Sequence, residues 1–214
     1  MRPRRDSLDS GTGEPPWRTF VAIELPDAVK QVLVQTQDSL RLRHGPVVRW
    51  VNPEGIHLTL KFLGNVAKPL LPRIETVLQQ ATSPFSPFHL SLTDAGVFPN
   101  WRSPRVVWLG MGGEREVLVT LQQRVEEALA ELGFTPEARP FSPHLTLGRV
   151  HQDASPAERQ ALGEAVQALG HLPRVEFYVE AVSLIRSELR PGGAIYTRLA
   201  SFPLAGLAQN THLV

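Results

Sequence analysis

The stretch 55-GIHLTLKFLG-64 contains the tetrapeptide His-Leu-Thr-Leu, which returns in 142-SPHLTLGRV-150, 87 positions further along the chain. A repeated tetrapeptide is weak by itself, because short matches arise by chance in a chain of this length. The surroundings strengthen it. Each copy is predicted to lie on a strand that follows a strand and a helix and precedes a helix and a strand. This shared order indicates that the chain contains two copies of one α+β unit.

The alternation of side chains along a strand predicts which residues of the motif act together. His57, Thr59 and Lys61 are expected on one face of the first motif strand, while the apolar residues between them face the core. In the second copy, His144 and Thr146 share a face in the same way. If the two units pack about a pseudo-twofold axis, the two faces oppose each other across a central cleft.

Two histidines beside one small site form a general acid–base pair. An imidazole is the side chain whose unperturbed pKa lies near neutral pH, so it can serve as base or as acid. Phosphodiester chemistry needs both, and the neighbouring hydroxyls and a cation can bind the phosphate oxygens. This scheme requires neither a metal nor another cofactor, so we expect none.

The bulk composition excludes several classes of function. The chain has 22 Lys and Arg against 21 Asp and Glu, so it has no general basic field to hold a long duplex, and a nucleic acid must be bound locally. The chain contains no cysteine, which excludes disulfides, thiolate nucleophiles and cysteine-ligated metal sites. With 42% hydrophobic residues, it has enough apolar content for a sizeable core.

We expect no Sec or twin-arginine signal at the N-terminus. Arg4-Arg5 is followed by polar residues instead of an apolar segment, and no stretch reaches the roughly 20 apolar residues of a membrane span. We therefore expect a soluble cytoplasmic protein that does not bind membranes.

The predicted organisation is one bilobal domain over 17–204, with lobes at about 17–100 and 101–204, between a disordered tail over 1–16 and a C-terminal tail over 205–214. The predicted strands cover 20–25, 47–51, 56–63, 89–93, 105–109, 144–150, 175–185 and 194–202. The predicted helices cover 26–42, 70–81, 114–132 and 155–169, the last with Ser155 as its N-cap. The fold class is therefore α+β, with two sheets and flanking helices.

Five stretches in the same order resemble the 2H phosphoesterase superfamily, and within it the RNA 2′,3′-cyclic phosphodiesterases, also called 2′-5′ RNA ligases. They are 18-RTFVAIELP-26, 50-WVNPEGIHLTLKFLG-64, 103-SPRVVWLG-110, 141-FSPHLTLGR-149 and 192-GGAIYTRLASFPL-204. The resemblance implies a bilobal fold with two antiparallel sheets. It also implies hydrolysis of an RNA 2′,3′-cyclic phosphate to a 2′-phosphate, together with a reversible 2′-5′ RNA ligation.

The resemblance also implies roles for single residues. His57 is similar to the proton donor to the departing ribose 3′-oxygen, and His144 to the proton acceptor that activates water. Thr59 and Thr146 resemble the hydroxyls that bind the phosphate, and Arg149 resembles the cation that follows the second motif. The implied partner is an RNA with a cyclic phosphate end, or a cyclic nucleotide. No protein partner is implied, and we expect a monomer because one chain supplies both motifs.

The cation poses a geometric problem. Simple alternation points Arg149 toward the core with Leu145 and Leu147, away from His144, unless Gly148 marks a bulge or a strand end that redirects it. Lys61 is the cation that alternation places on the histidine face, so it is kept as a second candidate.

Two aromatic residues and one further histidine complete the candidates. Phe20 and Tyr196 are predicted to line the cleft, where a ring can stack on a base, although core packing is an equal alternative. The sequence 89-HLSL-92 also fits the motif, but the duplication places His89 outside the motif strands, so it is predicted not to be catalytic.

Other functions remain open from the sequence. The chain can be a phosphodiesterase for other cyclic or 2′-5′ linked nucleotides, or a non-catalytic module that binds RNA ends. A zinc hydrolase is disfavoured, because each motif supplies a single histidine without a second ligand at His-x-x-x-His or His-x-His spacing.

Overall fold

The computed structural model describes residues 14–191 and 193–206. Most of the predicted N-terminal tail and of the predicted C-terminal tail therefore lies outside the described residues. Within them, the helices are α1 (Asp27–His44), α2 (Leu71–Thr82), α3 (Arg115–Ala130) and α4 (Pro156–Gln167). The strands are β1 (Trp17–Ile23), β2 (Val48–Trp50), β3 (Leu58–Val66), β4 (Phe88–Phe98), β5 (Val106–Gly113), β6 (His144–Val150), β7 (Glu176–Val179), β8 (Ala181–Arg190) and β9 (Gly193–Pro203).

The strands form two antiparallel sheets, which confirms the predicted α+β class. Sheet A has the strand order β3-β1-β8-β9, and sheet B has the order β2-β6-β5-β4-β7. The predicted N-cap of α4 is also confirmed: the Ser155 hydroxyl accepts from the backbone N–H of Glu158, whose carboxylate accepts from the backbone N–H of Ser155. The four helices expected from the sequence are all present within two residues of their predicted ends.

The two halves of the chain exchange strands, so the predicted boundary near residue 100 does not separate the two sheets. In sheet A, β1 and β3 are joined by β8 and β9 from the second half, and in sheet B, β5 and β6 are joined by β2 and β4 from the first half. The strand predicted over 175–185 is accordingly two strands, since β7 lies in sheet B and β8 in sheet A. Composition could not show this break, because both pieces have strand-forming sequences.

One large apolar core contains the leucines of both motif strands. Leu58 of β3 and Leu145 of β6 are fully buried in it. A second, smaller cluster of Phe20, Ala22 and Ile185 is packed against Tyr196. Sheet A therefore buries apolar side chains outside the main core as well, around residues that the sequence had placed near the site.

Each motif strand contains a β-bulge at the same place in the repeat. Val21 and Ala22 of β1 pair with Lys61 and Thr59, so Leu60 of β3 has no partner. Val107 and Trp108 of β5 pair with Gly148 and Thr146, so Leu147 of β6 has none. Leu60 and Leu147 are 87 positions apart, as the two histidines are. A bulge reverses the alternation of side chains beyond it, so both strands turn over at equivalent positions.

A buried glutamine from the other half of the chain binds each bulge. Gln37 of α1 donates to the carbonyl of Leu147 at 2.8 Å and to that of Val51 at 2.7 Å. Gln122 of α3 donates to the carbonyl of Leu60 at 3.3 Å. A bulge leaves backbone groups with incomplete pairing, and buried carbonyls need donors. The two glutamines therefore stabilise the bulges and connect the helix of each half to the motif strand of the other.

Among residues 14–191 and 193–206, no helix combines the length and the apolar character that crossing a membrane requires.

Replacing either buried glutamine with leucine is expected to lower the free energy of unfolding by about 1–3 kcal/mol, since a buried carbonyl then loses its donor at nearly constant side-chain volume. Urea unfolding of Gln37→Leu and Gln122→Leu measures this loss. The exposed Gln35 and Gln123 lie on the same two helices, so Gln35→Leu and Gln123→Leu are matched controls. Losses no larger than those of the controls would contradict a structural role for the two glutamines.

Candidate active site

Both motif histidines are held by the same backbone interaction. His57 lies just before β3, and its Nδ1 is 3.0 Å from the carbonyl oxygen of Gly55. His144 is the first residue of β6, and its Nδ1 is 2.7 Å from the carbonyl oxygen of Ser142. A carbonyl can only accept, so Nδ1 carries the proton in both rings. Nε2 is therefore left to accept a proton in the neutral ring, or to donate one in the charged ring.

Aromatic rings surround His57 on sheet A. Its ring centroid lies 5.7 Å from that of Phe20 and 5.2 Å from that of Tyr196, with both contacts edge-on. Gly55 lets Tyr196 approach, because a Cβ there would lie 2.7 Å from the Tyr196 ring. The backbone that holds Nδ1 of His57 is thus also the surface on which Tyr196 packs.

Burial sets the ionisation of His57. Loss of hydration lowers the pKa of His57 below its ordinary value, and the hydrogen bond that its ring donates to the Gly55 carbonyl and the charge of Glu24 oppose this in part. The nearby Lys30 ammonium lowers the pKa of His57 further. In the free protein, the neutral form of His57 is therefore favoured more than in an exposed histidine.

A second pair of aromatic rings flanks His144 on sheet B. The ring of Phe98 lies 5.1 Å away, and the ring of Trp108 lies 6.3 Å away. Gly96 makes this arrangement possible, because a Cβ there would lie 2.3 Å from the Trp108 ring. Sequence reasoning missed Phe98 and Trp108. The pairing of Trp108 with Thr146 across β5 and β6 brings Trp108 to this site, and the sequence alone does not show that pairing.

The motif threonines are half-buried next to their histidines. Thr59 pairs with Ala22 of β1, and Thr146 pairs with Trp108 of β5. Among the described residues, neither hydroxyl takes part in a side-chain hydrogen bond. The Gln122 side chain, in contrast, donates to the carbonyl of Leu60. Both hydroxyls are thus available to a ligand.

The two bulges place the two candidate cations on opposite sides of their strands: Arg149 faces outward and Lys61 faces the buried side. Arg149 is exposed, while Gly148 and Val150 on either side of it are buried, so the bulge directs Arg149 to the face of His144 and Thr146. The redirection predicted near Gly148 is confirmed, with Leu147 as the extra residue.

The predicted position of Lys61 on the histidine face is wrong. Beyond the bulge at Leu60, the side chain of Lys61 turns to the buried side, where its ammonium pairs with the Glu126 carboxylate and donates to the Thr135 carbonyl at 3.0 Å. Phe62, whose side chain is 67% exposed, takes the outward position instead. Phe62 is the counterpart of Arg149 in the repeat, so the duplication was the signal that could have identified it.

The structure thus gathers the predicted residues into two groups, one on each sheet. His57 and Thr59 lie with Phe20 and Tyr196 on sheet A, and Phe20 is buried at 5% exposure, which suits a packing role better than base stacking. The second group, on sheet B, consists of His144, Thr146, Arg149, Phe98 and Trp108. That both groups act on one phosphate stays a prediction.

His89 belongs to neither group. Its ring lies 3.7 Å from that of Tyr178 on β7, and its backbone N–H donates to the Glu114 carboxylate at 2.7 Å. His89 differs from the motif histidines, because among the described contacts its Nδ1 is not bound to the carbonyl of the residue two positions earlier. His89 therefore serves as an internal comparison for the other two.

No cluster of metal ligands competes with these two groups in the described part of the chain. No three His, Asp or Glu side chains come together there in a way that could hold a metal ion. A groove of about 550 Å³ lies between α2 and α3, but it contains none of the motif residues.

Known proteins match both the sequence and the fold. The family model of the 2′-5′ RNA ligase superfamily matches residues 25–191. A protein named RNA 2′,3′-cyclic phosphodiesterase from Methanothermobacter thermautotrophicus is 40% identical over 187 residues, which are 87% of this chain and 98% of the relative. A relative of the same name from Thermus thermophilus is 35% identical over 88% of this chain and 91% of its own length.

Solved structures agree with these relatives. A crystal structure from Thermus thermophilus has a TM-score of 0.71 and 32% identity, and covers 89% of this chain and 99% of its own. E. coli LigT, solved in complex with 3′-AMP, has a TM-score of 0.68 and 28% identity over 89% of this chain and 99% of its own. The family match, the two antiparallel sheets and the paired His/Thr strands agree, and the chain belongs to the 2′-5′ RNA ligase superfamily of 2H phosphoesterases.

Proposed function

We propose that this protein is an RNA 2′,3′-cyclic phosphodiesterase that hydrolyses the cyclic end of an RNA to a 2′-phosphate. The names of several relatives at 28–40% identity support this activity. The observation that carries the proposal is the equivalent presentation of two imidazoles, each with Nδ1 bound to a carbonyl two residues earlier and each beside a free threonine hydroxyl. A binding module would not need both rings held in this way.

The reaction uses Nε2 of both rings. His144 removes a proton from water, the water oxygen bonds to phosphorus, and the bond from phosphorus to the ribose 3′-oxygen breaks. His57 then gives its proton to the 3′-oxygen, so the 2′-phosphate and a free 3′-hydroxyl are the products. Donor and acceptor are assigned to His57 and His144 by resemblance to the family. In ligation, the 5′-hydroxyl of a second RNA takes the place of water, so His144 removes its proton and His57 again protonates the 3′-oxygen. The two roles exchange when that step runs backwards and the 3′-hydroxyl attacks the 2′-5′ bond.

The remaining residues bind the phosphate. The hydroxyls of Thr59 and Thr146 donate to the non-bridging oxygens, and the Arg149 guanidinium balances their charge. The same negative charge opposes the effect of burial on His57 and favours the protonated ring that a proton donor needs. Lys61 has no part in this scheme, since Glu126 and Thr135 already bind its ammonium.

The aromatic residues keep the two rings in place. Phe20 and Tyr196 contact the edge of His57, and Phe98 and Trp108 flank His144, so each imidazole has little room to turn away from its carbonyl partner. A fixed ring orientation aims Nε2 at the reacting atoms and reduces the entropy lost in the transition state. The same site would accept other cyclic or 2′-5′ linked nucleotides, and the 3′-AMP complex of E. coli LigT is consistent with nucleotide binding.

Replacing either motif histidine is expected to reduce kcat on a short RNA with a 2′,3′-cyclic phosphate end by about 10²–10⁴-fold, because one proton transfer loses its catalyst. Chromatographic separation of cyclic and 2′-phosphate ends measures the activity of His57→Ala and His144→Ala. His89→Ala is the matched control and should retain activity.

Persistence of the cyclic end with the unmodified protein would reject the proposed activity. Full activity of either motif variant would instead reject the two-histidine mechanism.

The pH profile of kcat/KM is expected to be bell-shaped, since one imidazole must be neutral and the other charged. If His57 is the donor, activity falls as pH rises through the pKa of His57, and burial lowers that pKa from 6.5 in the free protein. Glu24→Gln removes a charge that raises the pKa of His57, so the alkaline limb should move to lower pH. A limb that stays in place or moves to higher pH would contradict this assignment.

Hydrolysis is expected to continue at an unchanged rate in excess EDTA, because the proton transfers and phosphate contacts above use only side chains. Assays before and after dialysis against EDTA measure this, with a metal-dependent phosphodiesterase as a control for complete chelation. Loss of activity that added divalent metal restores would exclude the scheme.

A further inference from the structure

Arg49 lies directly opposite Arg149 where the edge strand β2 pairs with β6. The next pair along these strands, Val48 and Val150, is buried, whereas both arginines are exposed. The two guanidinium groups therefore leave the same face of sheet B, the face that also carries His144 and Thr146.

This pairing is unfavourable without a ligand. Like charges directly opposite each other on neighbouring strands repel. Among the described residues, neither Arg49 nor Arg149 has a carboxylate within 4.0 Å or a side-chain hydrogen bond. Several exposed arginines pair with carboxylates, namely Arg41, Arg124, Arg174, Arg190 and Arg198. Others, such as Arg73, have no such pair among the described residues, so the distinguishing feature of Arg49 and Arg149 is that they lie directly opposite each other. An adjacent pair of uncompensated cations beside a phosphate site is a place for a second anion.

The positions of the two arginines assign them to different phosphates. Arg149 is on the motif strand itself, three residues after Thr146, or about 7–10 Å along the strand. Arg49 is on the neighbouring strand, displaced sideways from Arg149 by about 4.8 Å. A cyclic phosphate held by the threonines and Arg149 therefore leaves Arg49 for the next phosphate group of the bound molecule.

We propose that Arg49 binds the phosphate on the 5′ side of the terminal nucleotide, so that the site selects an RNA chain over a mononucleoside 2′,3′-cyclic phosphate. The proposal rests on the proposed cyclic phosphodiesterase activity. Two ligands can supply a phosphate on the 5′-oxygen of the last ribose. In an RNA chain this phosphate is a diester, and in a 5′-phosphorylated nucleotide it is a monoester. We assign the diester, because the edge position of β2 leaves room for the chain to continue.

The test compares three substrates that each carry a 2′,3′-cyclic phosphate: a nucleoside, the same nucleoside with a 5′-phosphate, and a dinucleotide. The ratio of kcat/KM for the dinucleotide to that for the nucleoside should fall about tenfold in Arg49→Gln, as expected for one charge-assisted contact. The dependence of log KM for the dinucleotide on log salt should also become shallower, by a slope of about 0.7 for a single strand. Arg49→Lys should keep much of the ratio.

Two comparison variants make the result specific. Arg73→Gln removes an exposed cation from α2 and should leave the ratio unchanged, so it controls for net charge. Arg149→Gln should lower kcat/KM for both substrates and change the ratio little, because the cyclic phosphate is common to both.

The outcomes separate the two proposals. If the unmodified protein hydrolyses none of the substrates, the phosphodiesterase activity fails, and the role of Arg49 with it. If the unmodified protein hydrolyses both the dinucleotide and the nucleoside, but Arg49→Gln leaves the ratio of their kcat/KM values unchanged, only the role of Arg49 is overturned. If the 5′-phosphorylated nucleoside matches the dinucleotide, the site takes a terminal phosphate and the choice of an RNA chain is wrong.

Discussion

The carbonyl groups at the two bulges are the constraint on which the site depends. A bulge in a buried or edge strand is stable only if its backbone groups find partners, and here Gln37 and Gln122 supply them from the helices of the opposite halves. The bulges turn Lys61 inward and Arg149 outward, and so determine which of the two candidate cations lies on the same face as a motif histidine. The same hydrogen bonds connect the halves, so the orientation of the catalytic strands and the assembly of the fold depend on one set of contacts.

The duplication keeps the reacting groups and changes the residues beyond the bulge. Histidine and threonine recur at equivalent positions, and each histidine binds a carbonyl two residues earlier through Nδ1. After the bulge, the outward position holds Phe62 in one half and Arg149 in the other. The two His/Thr pairs are thus alike, whereas the outward residue beyond each bulge is an aromatic ring on sheet A and a cation on sheet B. Under the proposed function, these are the kinds of group that would meet the base and the charged phosphate of a nucleotide end.

Local patterns in the sequence predicted those features of the structure that depend only on residues close together in the chain. The helical spacing, the Ser155 cap, the two His/Thr pairs and the α+β class all follow from short stretches of chain. Gly148 indicated a bulge in the second motif strand, but the bulge at Leu60 did not follow, because alternation cannot show an extra residue that a distant side chain such as Gln122 stabilises. The strand exchange between the halves and the rings of Phe98 and Trp108 beside His144 also depend on distant pairing. The sequence therefore located the two His/Thr pairs but not the surroundings that orient them.

In the proposed mechanism, Nε2 of both motif histidines contacts one and the same phosphate. Nitrogen-15 NMR of the two imidazoles during titration with a 2′-nucleotide product measures this directly. Both Nε2 signals are expected to shift with a single dissociation constant at one nucleotide per protein, and His144→Ala is expected to weaken the response of His57 at the same nucleotide concentration. Signals that shift with different dissociation constants, or a response of one ring alone, would contradict this mechanism.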